Sequence, residues 1–310
     1  MTGDLAQALI EVLGADAVRR GEPLARYTTL GVGGPADLLA LVDGADALRR
    51  AVLLAWEREV PCRVLGAGSN VLVGDGGVRG LVVINRSGSV RFSGTHVEAE
   101  SGVSFSALAR RCVDRGLAGL EWAVGIPGTV GGAVVGNAGA WGGDVASVLH
   151  TAILLEPGGA VEAWPVERLE YGYRTGALKR NGGRQPVVLG AEFALRQGDR
   201  RTLEARVAEI AARRKATQPP GATCGSIFKN PPGDYAGRLI EAAGLKGKRQ
   251  GRAEISPRHA NFIVNRGGAT AADVWALIQL ARERVLARFG VELELEIELV
   301  GRIEHRGYKD

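Results

Sequence analysis

The sequence contains little cysteine and little histidine. Its 310 residues include 3 cysteines and 4 histidines. Cys62, Cys112 and Cys224 lie far apart and form no CxxC pair, so neither a disulfide framework nor a structural zinc site is expected. Cys224 is expected to be a small buried residue. The histidines are scattered at positions 96, 150, 259 and 305, so no metal cluster is expected either.

Long apolar runs and targeting signals are also missing. No run of about 18 apolar residues occurs, which predicts that the chain has no membrane span. The N-terminal stretch MTGDLAQALIEVLG carries acidic residues and no basic region, so no signal peptide is expected. Together with the sparse cysteines, these absences predict a cytoplasmic protein.

Aromatic residues make up only 5% of the chain, and no long basic run accompanies the net charge of +5. Stacking platforms for bases are therefore not evident, and nucleic acid is not the expected partner. The basic balance favours an anionic small molecule. We expect a monomer.

Glycine, by contrast, is abundant, and its 46 residues cluster in a few loops. Three loops stand out: GVGGPAD (31–37), LGAGSNVLVGDGGVRG (65–80) and GIPGTVGGAVVGNAGAWG (125–142). Such loops can present backbone N–H groups to phosphate. A dinucleotide GxGxxG fingerprint must follow a strand, open a helix and precede an acidic residue, and none of the three loops does so. None is a P-loop either, because GKS and GKT are absent. Three loops together favour a bound dinucleotide over simple turns, but not on a Rossmann fold.

The length exceeds one ordinary core, and the patterns predict three regions. They are 1–85, an α/β or α+β layer in which helices alternate with short strands; 86–200, mainly β; and 201–310, α+β. Helices are expected over residues 4 to about 20 and from Thr270 to Gly290. The stretch VELELEIELV (291–300) alternates so regularly that it predicts one strand with four glutamates on one face.

Two further segments carry polar groups suited to chemistry. TCGSIFKNPPG (223–233) contains Ser226, whose hydroxyl could be a nucleophile, a proton donor or a turn former. No GxSxG elbow supports a hydrolase. In LEYGYRTGALKR (169–180), Tyr173 and Arg174 could bind a carboxylate or phosphate, or could lie on a solvated loop.

The motifs taken in order resemble the UDP-N-acetylenolpyruvoylglucosamine reductases, the MurB family, in their shorter type II form. The resemblance rests on TTLGVGGPAD, LGAGSNVLVGDGGVRG, GIPGTVGGAVVGNAGAWGGD, YGYR, CGSIFKNP, LIEAAGLKG and HANFIVN, and runs from about Thr28 to Gly301. It implies two FAD-binding subdomains (1–85 and 86–200) of the vanillyl-alcohol-oxidase-like (PCMH) type. A substrate-binding domain (201–310) would follow. The implied cofactor is FAD, the electron donor NADPH and the product UDP-N-acetylmuramate.

The resemblance also assigns residues. Arg174 and Glu296 would polarise the carboxylate of the enolpyruvyl substrate, with Glu296 protonated, and Ser226 would donate a proton. The implied substrate contacts are Tyr173, Lys229, Asn230 and Lys246. The implied flavin contacts are Gly33, Gly34, Gly66, Gly68, Ser69, Asn70, Gly125, Ile126, Pro127, Gly128, Thr129, Gly131, Gly132 and Asn137.

The chain departs from the family pattern at three positions. Leu295 and Glu298 replace a proline and an arginine, so the choice of Glu296 depends on the register of the strand. Gly176 stands where a serine is common. Two other functions stay open: an FAD-dependent oxidase of a small alcohol or sugar on the same fold, and a non-catalytic protein that binds nucleotide sugars.

Overall fold

The computed structural model describes residues 2–179 and 184–303. It divides the chain into two compact units, each built from separate segments. The first unit comprises Met1–Arg19, Leu38–Ala67 and Gly80–Arg214, and the second comprises Arg20–Asp37, Gly68–Arg79 and Lys215–Asp310. The three regions predicted from the sequence (1–85, 86–200 and 201–310) stay a prediction.

The described residues contain both helices and runs of consecutive strands, which fits the predicted α+β class. The α-helices are α1 (Thr2–Leu13), α2 (Ala45–Glu57), α3 (Phe105–Val113), α4 (Val130–Gly136), α5 (Arg200–Thr217), α6 (Ala236–Ala242) and α7 (Ala271–Phe289). The first nine strands are β1 (Val18–Pro23), β2 (Pro35–Val42), β3 (Cys62–Leu65), β4 (Val71–Val73), β5 (Val78–Asn85), β6 (Val90–Ser93), β7 (His96–Glu100), β8 (Leu117–Ala118) and β9 (Gly139–Ala140). The remaining strands are β10 (Gly143–Asp144), β11 (Leu149–Leu155), β12 (Val161–Pro165), β13 (Val187–Ala194), β14 (Arg196–Gln197), β15 (Arg249–Gln250), β16 (Ala253–Ile255), β17 (Ile263–Asn265) and β18 (Glu298–Val300).

A four-stranded sheet has the order β1-β2-β5-β3, and β3 runs parallel to β5. In the first unit, α1 and α2 contribute the buried residues of their apolar stripes, such as Leu5, Leu9, Leu48 and Val52, to one core with these strands. The helix predicted to reach about residue 20 ends at Leu13. Gly14 follows with a φ of 91°, and the chain then enters β1, so the second half of that prediction is wrong.

A five-stranded antiparallel sheet of order β12-β11-β13-β7-β6 forms the second core of the first unit. Helix α3 buries Phe105, Leu108 and Cys112 in that core. The glycine-rich stretch 125–142 is more ordered than a loop, because it contains α4. Thr129 begins that helix as N-cap and Asn137 ends it in the left-handed conformation.

The second unit packs α6 and α7 against the strands β15-β16-β17, while β18 pairs in parallel with β4. The predicted ends of α7 are confirmed. Thr270 and Asp273 form a capping box, and Gly290 ends the helix with a φ of 67°. Cys224 is buried in this core, as expected, and burial raises the pKa of its thiol to about 12.

The prediction of one regular strand over VELELEIELV is wrong for most of its length. Only Glu298–Val300 forms a strand, and an isolated bridge joins Leu295 to Phe228. The N–H groups of Glu296 and Ile297 both point to the carbonyl of Ile227, at 2.8 and 3.5 Å, which is a bulge. The alternation also ends after Ile297, since Leu299 is 37% exposed and Val300 is buried.

Among the described residues, no helix combines the length and apolar character needed to cross a bilayer. Within the same part of the chain, no group of three or more His, Cys, Asp or Glu side chains is placed to hold a metal ion.

Candidate active site

The loop that leads into α4 is attached to the beginning of α3. The N–H of Gly125 donates to the hydroxyl of Ser106 at 2.7 Å, and the N–H of Phe105 donates to the carbonyl of Gly128 at 3.1 Å. Ile126 packs against the adjoining core. The predicted flavin contacts from 125 to 132 therefore lie in one fixed segment. Gly131 also belongs to it, since its N–H donates to the carbonyl of Ser101 at 2.8 Å.

Gly66 lies in close contact with another loop of the protein, the one that contains Thr129. A Cβ on Gly66 would lie 2.3 Å from the hydroxyl oxygen of Thr129, so only glycine allows these two loops to touch. Gly132 differs, because a Cβ there would meet only that same oxygen, at 3.8 Å. The need for glycine at Gly66 is therefore explained by its contact with Thr129, whereas the space beside Gly132 is open. The flavin contacts predicted at both positions stay predictions.

Arg174 lies in a tight turn whose ends are paired. Gly172 and Thr175 exchange backbone hydrogen bonds of 3.1 and 3.3 Å, and Arg174 adopts a left-handed φ of 56°. This conformation is uncommon for a residue with a side chain and is maintained only where the surroundings fix it. Tyr173, the neighbouring predicted substrate contact, is 58% exposed.

Four side-chain hydrogen bonds fix this turn and the Asn137 side chain that holds it. The buried amide of Asn137 donates to the carbonyl of Gly172 at 3.1 Å, and its oxygen accepts the N–H of Ala146 at 3.0 Å. Tyr171 donates its hydroxyl to the carbonyl of Val134 at 2.5 Å, and Lys179 donates to the carbonyl of Arg174 at 3.2 Å. The structure therefore brings together α4 and the YGYR motif, which lie about 40 residues apart in sequence.

The remaining glycine loops lie together in the second unit. The N–H of Thr29 donates to the carbonyl of Gly68 at 3.1 Å, and the N–H of Gly34 donates to the carbonyl of Gly74 at 3.0 Å. A Cβ on Gly33 would lie 2.9 Å from that of Val73. The predicted contacts at 33–34 and 68–70 are thus neighbours in space.

Ser226 and Glu296 lie on adjacent backbone segments of the second unit. The N–H of Glu296 donates to the carbonyl of Ile227 at 2.8 Å, and the N–H of Lys229 donates to the carbonyl of Glu294 at 2.9 Å. Ser226 and Glu296 are half-buried, whereas the other three glutamates of the stretch, Glu292, Glu294 and Glu298, are exposed. Sequence alternation treated the four glutamates as equivalent, and the bulge separates them.

The predicted substrate contacts of the second unit already have protein partners. Lys229 forms an ion pair with Glu294, and Lys246 forms one with Glu241 at 2.7 Å. The side-chain oxygen of Asn230 accepts the N–H of Ala236 at 3.1 Å, at the beginning of α6. A ligand that used these side chains would exchange partners with them, so their substrate role stays a prediction.

Arg214 is a functional candidate that the motifs do not reveal. A Cβ on Gly125 would lie 3.1 Å from its Nε, so the guanidinium rests against the glycine loop. Burial lowers the pKa of this guanidinium below its ordinary value. In the sequence Arg214 is one of several arginines on a charged helix, and only tertiary packing distinguishes it.

A cavity of about 600 Å³ in the first unit contains none of the predicted site residues. It is lined among others by Gly119, Glu121, Trp122, Trp141, Arg196 and Arg206. The indole N–H of Trp141 is buried and has no hydrogen-bond partner among the described residues. The GSIFKNP and YGYR motifs lie outside this cavity, so it carries none of the proposed chemistry.

Two family models match the chain in the regions just described. Residues 36–163 match an FAD binding domain, and residues 216–300 match the C-terminal domain of UDP-N-acetylenolpyruvoylglucosamine reductase. A reductase of that name from Chloroflexus aggregans is 49% identical over 291 residues, which cover 91% of this chain and 97% of the relative. The chain belongs to the UDP-N-acetylenolpyruvoylglucosamine reductase family.

Two further comparisons agree with this assignment. A reductase of the same name from Rubrobacter xylanophilus is 49% identical over 287 residues, covering 92% of this chain and 96% of the relative. The crystal structure of a family member from Thermus caldophilus superposes with a TM-score of 0.79 at 39% identity, covering 92% of this chain and 99% of that one. The predicted family and the predicted α+β class with an FAD-binding domain are confirmed.

The side chains around α4 suit the cofactor of this family. Gly132 leaves an open face at the first turn of α4, and the half-buried Arg214 guanidinium lies beside Gly125. An FAD diphosphate is an anion that a half-buried guanidinium can stabilise. Arg214, which lies beside Gly125, is therefore a candidate contact for the cofactor.

Proposed function

We propose that this chain is an NADPH-dependent flavoenzyme that reduces the enolpyruvyl double bond of UDP-N-acetylenolpyruvoylglucosamine to give UDP-N-acetylmuramate, a peptidoglycan precursor. The observation that supports it most directly is the pairing of the segments that carry Ser226 and Glu296. The backbone segments that carry a proposed proton donor and a proposed carboxyl group, far apart in sequence, are thereby adjacent. We further propose a cytoplasmic monomer.

The reaction requires a carbanion-like charge to be stabilised. When bound, FAD supplies the hydride that adds to the β-carbon of the enolpyruvyl ether. Negative charge then develops on the α-carbon and its carboxylate, and donors aimed at that carboxylate lower the barrier. In our proposal Arg174 supplies a fixed guanidinium, which suits a carboxylate because two parallel N–H groups can bind both oxygens.

The conformation of the turn around Arg174 supports this role. A residue with a left-handed φ is maintained only where other contacts determine the backbone. Here Asn137 holds the carbonyl of Gly172, and Lys179 holds the carbonyl of Arg174 itself. The guanidinium is thus carried by a backbone that does not need to reorganise during the reaction.

Ser226 supplies the proton in our proposal, and it goes to the α-carbon. A serine hydroxyl is a weak acid, so it must be aligned with the carbon and connected to other groups that replace its proton. Its segment is fixed by neighbouring backbone on both sides, through the bridges Ser226–Phe262 and Phe228–Leu295. Glu296, held beside it, would donate a hydrogen bond to the substrate carboxylate in its protonated form.

Binding of the rest of the substrate involves cations and amides. The diphosphate and sugar of a UDP-sugar carry charge and hydroxyl groups that Lys229, Asn230, Lys246 and Tyr173 can bind. Because Lys229 and Lys246 have carboxylate partners, we propose that substrate phosphate competes with Glu294 and Glu241 for them.

An anaerobic absorption experiment tests the proposal. Purified protein should show a flavin spectrum that NADPH bleaches, and UDP-N-acetylenolpyruvoylglucosamine should restore the colour without oxygen. Recovery of the colour only after oxygen is admitted would favour the oxidase. A protein that stays colourless after incubation with FAD would contradict both flavin functions.

A further inference from the structure

The segment that carries Ser226 is bound on one side by ordinary strand pairing. Phe228 lies opposite Leu295, and two backbone hydrogen bonds flank that pair. In an antiparallel pair of this kind, the N–H and C=O of the central residue point to the other side. The two backbone groups of Phe228 therefore need partners away from Leu295, and Phe228 is almost completely buried.

A side chain provides those partners. The N–H of Phe228 donates to the Oδ1 of Asn261 at 2.9 Å, and the Nδ2 of Asn261 donates to the carbonyl of Phe228 at 2.8 Å. One amide thus replaces the pair of hydrogen bonds that a neighbouring strand would give. Asn261 is only 3% exposed, so water cannot take its place.

The backbone of residues 259–262 cannot pair with the N–H and C=O of Phe228, because the chain forms a turn there. The N–H of Phe262 donates to the carbonyl of His259 at 3.0 Å, which closes a turn over 259–262. The ring nitrogen Nδ1 of His259 accepts the N–H of Asn261 at 3.2 Å. The backbone carbonyl of Asn261 accepts the N–H of Ile227 at 2.8 Å. Asn261 therefore binds both residues that follow Ser226, Ile227 through its backbone and Phe228 through its side chain.

We infer that Asn261 is a positioning residue for proton donation: its side-chain amide completes the hydrogen bonding of Phe228 and so fixes the direction in which the hydroxyl of Ser226 points. This role rests on the proposed function of Ser226. Because proton transfer depends steeply on alignment, a small rotation of the segment slows it strongly.

Flavin reduction by NADPH and flavin reoxidation by substrate, measured separately, distinguish this role from a general loss of structure. In the FAD-loaded Asn261→Ala variant, anaerobic reduction of the flavin by NADPH should stay within about twofold of the unchanged protein. Reoxidation by UDP-N-acetylenolpyruvoylglucosamine should slow by about 10²-fold, the scale of a misplaced reacting group. The solvent deuterium isotope effect on reoxidation should increase, because proton transfer becomes the slower step.

A double variant tests whether Asn261 acts through Ser226. In Ser226→Ala/Asn261→Ala, reoxidation should be no slower than in Ser226→Ala alone. Thr270→Ala, which removes the cap of α7 without touching residues 226–228, serves as the control for lost stability and should leave both half-reactions unchanged. If Asn261→Ala does not fold, Asn261→Ser retains one hydrogen-bonding group and should show the same separation of the half-reactions.

Equal slowing of both half-reactions in the Asn261 variants, or effects that multiply in the double variant, would overturn the positioning role. If Ser226→Ala reoxidises at the normal rate, the proposed function of Ser226 is wrong and the role of Asn261 falls with it. If Ser226→Ala is slow and Asn261→Ala is not, only the role of Asn261 is wrong.

Discussion

The side-chain amide of Asn70 donates a hydrogen bond of 3.0 Å to the backbone carbonyl of Glu296, 226 residues later in the chain. The backbone carbonyl of Asn70 accepts the N–H of Glu298 at 2.9 Å. Asn70 therefore spans the bulge and holds the backbone of Glu296 from the side opposite Ile227. The GAGSN motif, predicted to contact the flavin, also sets the register of the glutamate stretch.

Asn70→Asp should weaken this connection, because aspartate retains the shape but cannot donate to the carbonyl of Glu296. We expect a loss of about 1 kcal/mol in the free energy of unfolding, the typical net value of one hydrogen bond. Denaturant titration measures that loss, and turnover of UDP-N-acetylenolpyruvoylglucosamine should fall as well. Unchanged stability together with unchanged turnover would show that the amide does not hold Glu296.

Replacement of each glutamate of VELELEIELV by alanine, one at a time, should single out position 296. We expect Glu296→Ala to slow reoxidation of reduced flavin by about 10²-fold or more, the scale of losing one hydrogen-bond donor aimed at the charge that develops. The exposed Glu292, Glu294 and Glu298 should tolerate the same change within about twofold. A larger effect at Glu294 or Glu298 than at Glu296 would show that the assigned register is wrong.

Ser226→Ala should separate the two half-reactions. Reduction of the flavin by NADPH does not use the hydroxyl and should proceed at nearly the normal rate, whereas reoxidation by substrate, and with it product formation, should become very slow. Stopped-flow absorbance with each substrate in turn measures both steps. Loss of the two steps together would mean that Ser226 is structural.

Arg214→Gln should weaken the binding of FAD. A charge-assisted hydrogen bond is worth about 1.5–3 kcal/mol, which corresponds to a roughly tenfold to hundredfold rise in the dissociation constant. Quenching of flavin fluorescence on titration with apoprotein gives that constant. The neighbouring Arg213, which is exposed, provides the matched control Arg213→Gln, and equal weakening by both changes would contradict the assignment.

Glu254 should make folding stability depend on acid pH. Its buried carboxylate is held by hydrogen bonding to Arg266 and by the charges of Arg266 and Arg249, which lower its pKa below the ordinary 4.5. A lowered carboxyl pKa contributes stability that is fully present above pH 4.5 and is lost as the pH falls toward the lowered value. Denaturant titrations at pH 7 and pH 3.5 should therefore show a smaller acid-induced loss in Glu254→Gln than in the unchanged protein. An equal loss in both proteins would contradict this expectation.

Local sequence signals predicted those structural features that depend only on residues close together in the chain, such as the ends of α7. The capping box of Thr270 and Asp273 and the glycine after Phe289 fix the ends of α7 by hydrogen bonds and backbone conformation within one turn, so both ends were predictable. Helix α4 was missed, because its glycines have poor helix propensity and its N-cap, Thr129, lies within a run of turn-like residues.

The residues of the candidate site were predictable only as motifs. GSIFKNP, YGYR and the glycine loops identify the family, and the family supplies their roles. Arg214 and Asn261 carry no such signal. An arginine on a charged helix and an asparagine before a strand look ordinary until packing places one against Gly125 and the other against Phe228.

The sequence by itself determined the family and the α+β class, and it located the candidate residues within the stretches VELELEIELV and GSIFKNP. Side-chain alternation along 291–300 could not decide between its four glutamates, since a perfect period of two treats them alike. Tertiary structure decided between them, because the N–H groups of Glu296 and Ile297 share the carbonyl of Ile227 and Asn70 holds the carbonyl of Glu296. These contacts join residues from three separate parts of the chain, and no local pattern encodes which of them will meet.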